Sequence, residues 1–206
     1  INPLTGLITV GDSSLLDFEA TPTFNLIVQV EDSAPTSVRA SDTATVTVSL
    51  TDLVEPLLIG PADWQADGLS VIRDGDSVRV IRTGTSLDVV PSQPIAQTSN
   101  ISIVGRAGLT DRLTIDFSGG SPLVGTFDFD GGVGGMDSLT LTSGMFDSIV
   151  HNFASSSSGS VDLIDSLGTN SISYVGLEPI FDSLDATDRV FNFGATDDVV
   201  QLSASP

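Results

Sequence analysis

The sequence has no cysteine, a single histidine, a single tryptophan and a single tyrosine, and its 7 basic residues, all arginine, face 27 Asp and Glu. Each scarcity excludes a class of chemistry. Without cysteine there are no disulfides, thiolate zinc sites or thiol nucleophiles. Without lysine there is no Schiff base and no Lys-to-Asn isopeptide staple. A formal net charge of −20 leaves no basic stripe to follow phosphates, so nucleic acid and anionic membrane surfaces are excluded as partners. No apolar run approaches the ~18 residues a helical span needs, so membrane insertion is not expected. A charged-then-apolar leader and a starting Met are also lacking, and Ile1 reads as a processed end or a fragment boundary.

What is present points to an all-β fold. The 40% apolar content is too high for a disordered acidic tail, so the chain is expected to fold around a core. Helix formers such as Lys, Glu, Gln and Met are scarce, and no stretch shows apolar residues at helical spacing. Period-2 runs recur instead: Leu26-Val28-Val30, Val46-Val48-Leu50, Val78-Val80, Leu113-Ile115-Phe117, Leu139-Leu141, Val161-Leu163, Ile172-Tyr174, Phe191-Phe193 and Val200-Leu202. Gly, Asp, Asn and Ser separate them, which predicts short half-buried strands joined by turns. The preference for Asp over Glu suits turn capping and metal ligation from loops, because the shorter side chain has less entropy to lose.

Residues 1–55 have their own grammar. Asn2-Pro3-Leu4-Thr5-Gly6 is followed by Leu16-Asp17-Phe18-Glu19, a strand from Phe24 to Val30 ending at Asp32, and the run Thr43-Ala44-Thr45-Val46-Thr47-Val48. This order resembles the second half of a cadherin repeat, a seven-stranded sandwich that holds calcium at its ends. The resemblance covers about a quarter of the chain. It implies calcium ligation by Asp17 and Glu19 at one end and by Asp32 at the other. The family's closing Asp-x-Asn-Asp-Asn linker is represented only by Asp52-Leu53-Val54-Glu55, in which Asp52 and Glu55 can still offer oxygens. The competing role for these carboxylates is turn capping. A half-repeat exposes apolar faces and open edges, so the missing strands must come either from sequence lying outside this segment or from another copy by strand complementation.

Residues 56–206 follow a hinge at Glu55-Pro56. Strand centres fall near 113, 127, 139, 149, 161, 172, 191 and 201, and Asp followed by Ser or Arg and then an aliphatic residue recurs at Asp76, Asp111, Asp137, Asp147, Asp165, Asp182 and Asp188. The pattern reads as a turn-then-strand rule and predicts a β-solenoid, with a second β-sandwich as the alternative. Within it, Asp128-Phe129-Asp130-Gly131-Gly132-Val133-Gly134-Gly135-Met136-Asp137 resembles one imperfect copy of the calcium β-roll (RTX-like) nonapeptide. That resemblance implies Asp128, Asp130 and Asp137 as further ligands, with a plain Gly-rich turn as the alternative.

Enzyme motifs are missing: no Gly-x-Ser-x-Gly elbow, no aspartic-protease triplet, no phosphate loop with lysine and no second histidine for zinc. His151 is expected on the solvated face of its strand, Trp64 either plugs a core or offers a sugar-stacking platform, and Ser155–Ser158 forms a loop tip. These features together predict a non-enzymatic, secreted or surface-displayed bacterial protein. It would be a calcium-stabilised structural subunit, polymerising head-to-tail with itself by strand complementation. The alternatives are an adhesin module that binds surface glycans and a passive spacer.

Overall fold

The computed structural model describes all residues except 3, 19, 33, 34, 36–38, 65–67 and 195–206. Glu19 and the expected strand at Val200-Leu202 therefore lie outside the described residues. The fold is all-β: apart from single 3-10 turns at Ser13–Leu15 and Ile95–Gln97, every regular element among the described residues is a strand. The chain divides into two compact units, Ile1–Leu53 and Val54–Pro206.

The first unit contains one antiparallel ribbon, β1 (Thr23–Glu31) and β2 (Ser41–Ser49). Its register sets Phe24 opposite Val48, Leu26 opposite Val46 and Val28 opposite Ala44 on one face, and Asn25 opposite Thr47 and Gln29 opposite Thr43 on the other. Alternation has thus produced an amphipathic ribbon. The polar face is tied by a hydrogen bond from Thr47 Oγ1 to Asn25 Oδ1 at 2.9 Å. No described residue of this unit is buried.

The second unit holds β3 (Glu55–Ile59), β4 (Gly68–Asp74), β5 (Ser77–Arg82), β6 (Gln93–Pro94), β7 (Thr98–Val104), β8 (Arg112–Asp116), β9 (Phe127–Asp130), β10 (Ser138–Phe153), β11 (Gly159–Asp165), β12 (Gly168–Val175) and β13 (Ile180–Asn192). Two parallel ladders organise it. Strands β3, β7, β9 and β12 stack in one, and β4, β8, β10 and β13 stack in the other. The chain alternates between them through four successive coils. A β5–β6 hairpin is inserted in the first coil and β11 in the third, which is why the sequence shows no constant repeat length.

Registers align the interior into columns. Leu57, Ile101, Phe127 and Ile172 form one, and Ile59, Ile103, Phe129 and Tyr174 the next. On the opposing ladder Leu69, Leu113, Leu139 and Ile180 align, as do Val71, Ile115, Leu141 and Asp182. Both ladders contribute to one continuous apolar core. Among the described residues each end of the stack has one open and one covered edge. β3 is open beside β4, whose outer edge is bonded to β5, and β13 is open beside β12, whose outer edge is bonded to β11. Covering half of each end limits edge-to-edge aggregation.

Candidate functional site

Of the carboxylates expected to bind calcium in the first unit, one caps a local turn. Asp17 Oδ1 accepts the Ala20 N–H at 2.9 Å, the arrangement of a capped turn. Asp32 is exposed just beyond β1, and its own N–H donates to Ala40 O at 3.0 Å. Asp52 differs: it is half-buried, and its Oδ1 is buried with no hydrogen-bond partner. In the second unit the Glu55 carboxylate is exposed, while its backbone carbonyl accepts Gln93 Nε2 at 3.0 Å. No group of three or more His, Asp or Glu side chains with metal-binding geometry occurs among the described residues. Calcium takes 6–8 oxygens, so the carboxylates described here do not by themselves fit the ion, and further oxygens have to come from elsewhere.

The Gly-rich segment at 131–135 forms the corner between β9 and β10. Corner glycines stack from coil to coil: the Gly105 N–H donates to Asp130 O at 2.7 Å and the Gly131 N–H to Val175 O at 2.9 Å. A Cβ on Gly131 would lie 2.6 Å from Gly176 O and 2.7 Å from the Asp137 Cβ, which explains glycine there by close approach. The three expected ligands have different surroundings. Asp128 points outward from β9, Asp130 Oδ1 accepts the Gly132 N–H at 2.8 Å, and Asp137 is buried with Oδ1 accepting the Asp111 N–H at 2.7 Å. Beside Asp137, the fully buried Asp111 is bridged by Arg106 through Nε at 2.8 Å and Nη2 at 2.6 Å. A guanidinium already supplies positive charge to this corner. Burial pushes the Asp137 carboxyl above its ordinary range, reinforced by the charges of Asp111 and Asp130 and opposed by the Asp111 N–H and Arg106.

Trp64 lies next to this corner and is buried. Its Nε1 donates to Val104 O at 2.8 Å, its ring stacks on Phe129 at 6.3 Å, and Arg106 lies 5.9 Å from the ring centroid. Of the two roles read for Trp64, burial favours the plug over the sugar platform.

The last coil carries a site the sequence reading missed. His151, expected on a solvated face, is buried, and Nε2 lies 2.9 Å from Asp182 Oδ2. Arg189 Nε approaches the same carboxylate oxygen at 3.1 Å, while Nη2 donates to Leu184 O at 2.6 Å. Burial alone would raise Asp182. The His151 hydrogen bond, the Leu184 N–H and the Arg189 charge together hold it below the usual carboxylate range. The imidazole stacks on Phe191 at 5.1 Å and faces Phe153 at 6.1 Å, both within 11° of parallel.

These side chains border an open cleft of about 620 Å³, completed by Tyr174, Leu177, Pro179 and Ile180. The register shows why it forms. In the last coil Tyr174 and Asp182 take the places that aliphatic and Phe residues hold in earlier coils, so the core ends in polar-headed groups. A bulge after Thr142, with Ser143 at φ 65°, interrupts the β10–β13 register between the Asp182 half and the Arg189 half of β13. Tyr174 Oη is buried without a partner. The signal was available in the sequence: Ile149, His151 and Phe153 share one strand face, as do Ile180, Asp182 and Leu184.

Comparison with known proteins found no matching family model, no matching curated protein and no matching solved structure.

Proposed function

We propose that the chain is a structural building block of an extracellular filament, sheath or adhesive array, with the β1–β2 ribbon as its assembly element and the coiled unit as its rigid body. The observation that carries this reading is the ribbon's apolar face: Phe24, Leu26, Val28, Val46 and Val48 lie together on it, and none is buried. A two-stranded ribbon is marginal in water, and covering such a face is favourable at about 25 cal/mol per Å² of apolar surface. The covering strands come from a second copy. Because donor and acceptor surfaces differ, the contact is head-to-tail and propagates into an open chain.

Calcium enters this reading as a ligand of the completed repeat. Asp52 Oδ1 is the carboxylate oxygen with an unmet need for a partner, and incoming strands supply the remaining oxygens. A charge of −20 per subunit keeps unassembled copies apart, and divalent cations relieve that repulsion on assembly. The protein works outside the cell and catalyses no reaction in this account.

Light scattering after size exclusion tests it, in millimolar calcium and after excess chelator. An assembly that falls to 21.3 kDa subunits on chelation is the expected result. A monodisperse 21.3 kDa species in both buffers contradicts self-assembly.

A further inference from the structure

Independently of how copies assemble, the geometry points to the cleft of the last coil as a binding site for a neutral saccharide unit. Its volume of about 620 Å³ lies within the ~300–1,000 Å³ typical of small-molecule sites. The walls are mainly apolar, and a few polar groups converge on them, as ligand sites require. The Asp182 carboxylate holds the Nε2 edge of His151, which leaves Nδ1 without a partner among the described residues. Arg189 spends Nε and Nη2 on Asp182 and Leu184 O, which leaves Nη1 as a donor at the cleft wall.

His151 Nδ1 and Arg189 Nη1 match vicinal hydroxyl groups, each of which can donate or accept. Phe191, about half exposed on the open-edged strand β13, provides an aromatic face for the apolar side of a sugar ring. Charge selects against other ligands. The Asp182–Arg189 pair is neutral in sum, Glu178 stands exposed at the rim, and a field from −20 charges repels anions. A cation would have to displace Arg189 from Asp182.

The chain's single histidine and single tyrosine both border the cleft, so each gives one unambiguous ring signal in a proton NMR spectrum. The full chain is titrated with the methyl glycosides of glucose, galactose and mannose, with N-acetylglucosamine, and with glucuronate as the anionic comparison. At least one neutral sugar is expected to shift the His151 and Tyr174 ring signals together and saturably, and glucuronate to bind several-fold more weakly. Phe191→Ala should weaken the binding by roughly five- to tenfold, the worth of one stacking contact, with the circular dichroism spectrum unchanged. If that variant fails to fold, Phe191→Leu keeps the apolar volume while removing the ring, and should show the same loss. Absence of a saturable shift with every neutral sugar overturns the proposal, as does tighter binding of glucuronate or an affinity indifferent to the Phe191 ring.

Discussion

Leu26, Val28, Val46 and Val48 in the ribbon follow the same period-2 pattern as Leu113, Ile115, Leu139 and Leu141 in the coils, yet the second set is fully buried and the first is not. Alternation specifies which face is apolar and says nothing about what covers it. In the coils the cover is local, since each turn of chain stacks on the last and the two ladders close over one core. In the ribbon no described strand of the same unit covers the face. The comparison separates a body that satisfies itself from an element that does not.

Mutations can break this contrast, beginning with the largest expected effect. Leu139→Ala removes a side chain at 0% exposure from the middle of a column and should cost about 2–5 kcal/mol in denaturant unfolding, whereas Val46→Ala in the unassembled chain should change it by less than about 0.5 kcal/mol. Equal losses at the two positions would mean the ribbon is packed after all. Gly131→Ala should destabilise by about 1–3 kcal/mol, because its Cβ meets the Gly176 carbonyl and Asp137. The same change at Gly11, which has nothing within 4 Å, should be neutral or slightly stabilising by thermal melting.

Titration sharpens the contrast within the coiled unit itself. Asp182 is depressed when folded, so its contribution is present above the unfolded Asp value of about 3.9 and is lost as pH falls through the folded value. Asp182→Asn should therefore destabilise at pH 7 and flatten the acid limb of the stability curve. Asp137 is raised, so its contribution is present below about 3.9 and is lost as pH rises through the folded value. Asp137→Asn keeps an oxygen for the Asp111 N–H and should leave stability at pH 7 equal or higher. A loss at pH 7 for Asp182→Asn and no loss for Asp137→Asn, read from unfolding between pH 3 and pH 7, is the expected outcome. The smallest effect is Arg39→Ala, which removes an exposed ion pair to Glu31 and should cost under about 0.5 kcal/mol.

Fold class was legible because alternation and turn residues are local signals. The Asp-then-aliphatic rule located buried positions, since Val78, Leu113, Leu139, Ile149 and Leu184 are all buried one residue beyond the pattern's middle position, but it did not always mark a turn: Asp147 lies inside β10 and Asp182 inside β13. It failed at Leu167, which sits almost fully exposed at a hairpin tip where Asp165 Oδ1 caps the turn through the Leu167 N–H at 2.7 Å. The same Asp chemistry thus serves both a coil corner and a hairpin, and only pairing distinguishes them. The cleft was not legible, because Asp182 and His151 are 31 positions apart and meet only through strand stacking. A polar residue type also outweighed the evidence of its strand face. In the Gly-rich segment Gly131 is accounted for by coil-to-coil approach, and the Asp130 and Asp137 carboxylates accept backbone N–H groups.

Amide hydrogen exchange on the full chain, compared between the dispersed and the assembled state, tests the central contrast most directly. The account predicts that β1 and β2 amides exchange rapidly in the dispersed chain and become protected on assembly, while amides of β7, β8, β9 and β10 are protected in both. Strong protection of β1 and β2 in the dispersed chain, matching that of the coils, would contradict it.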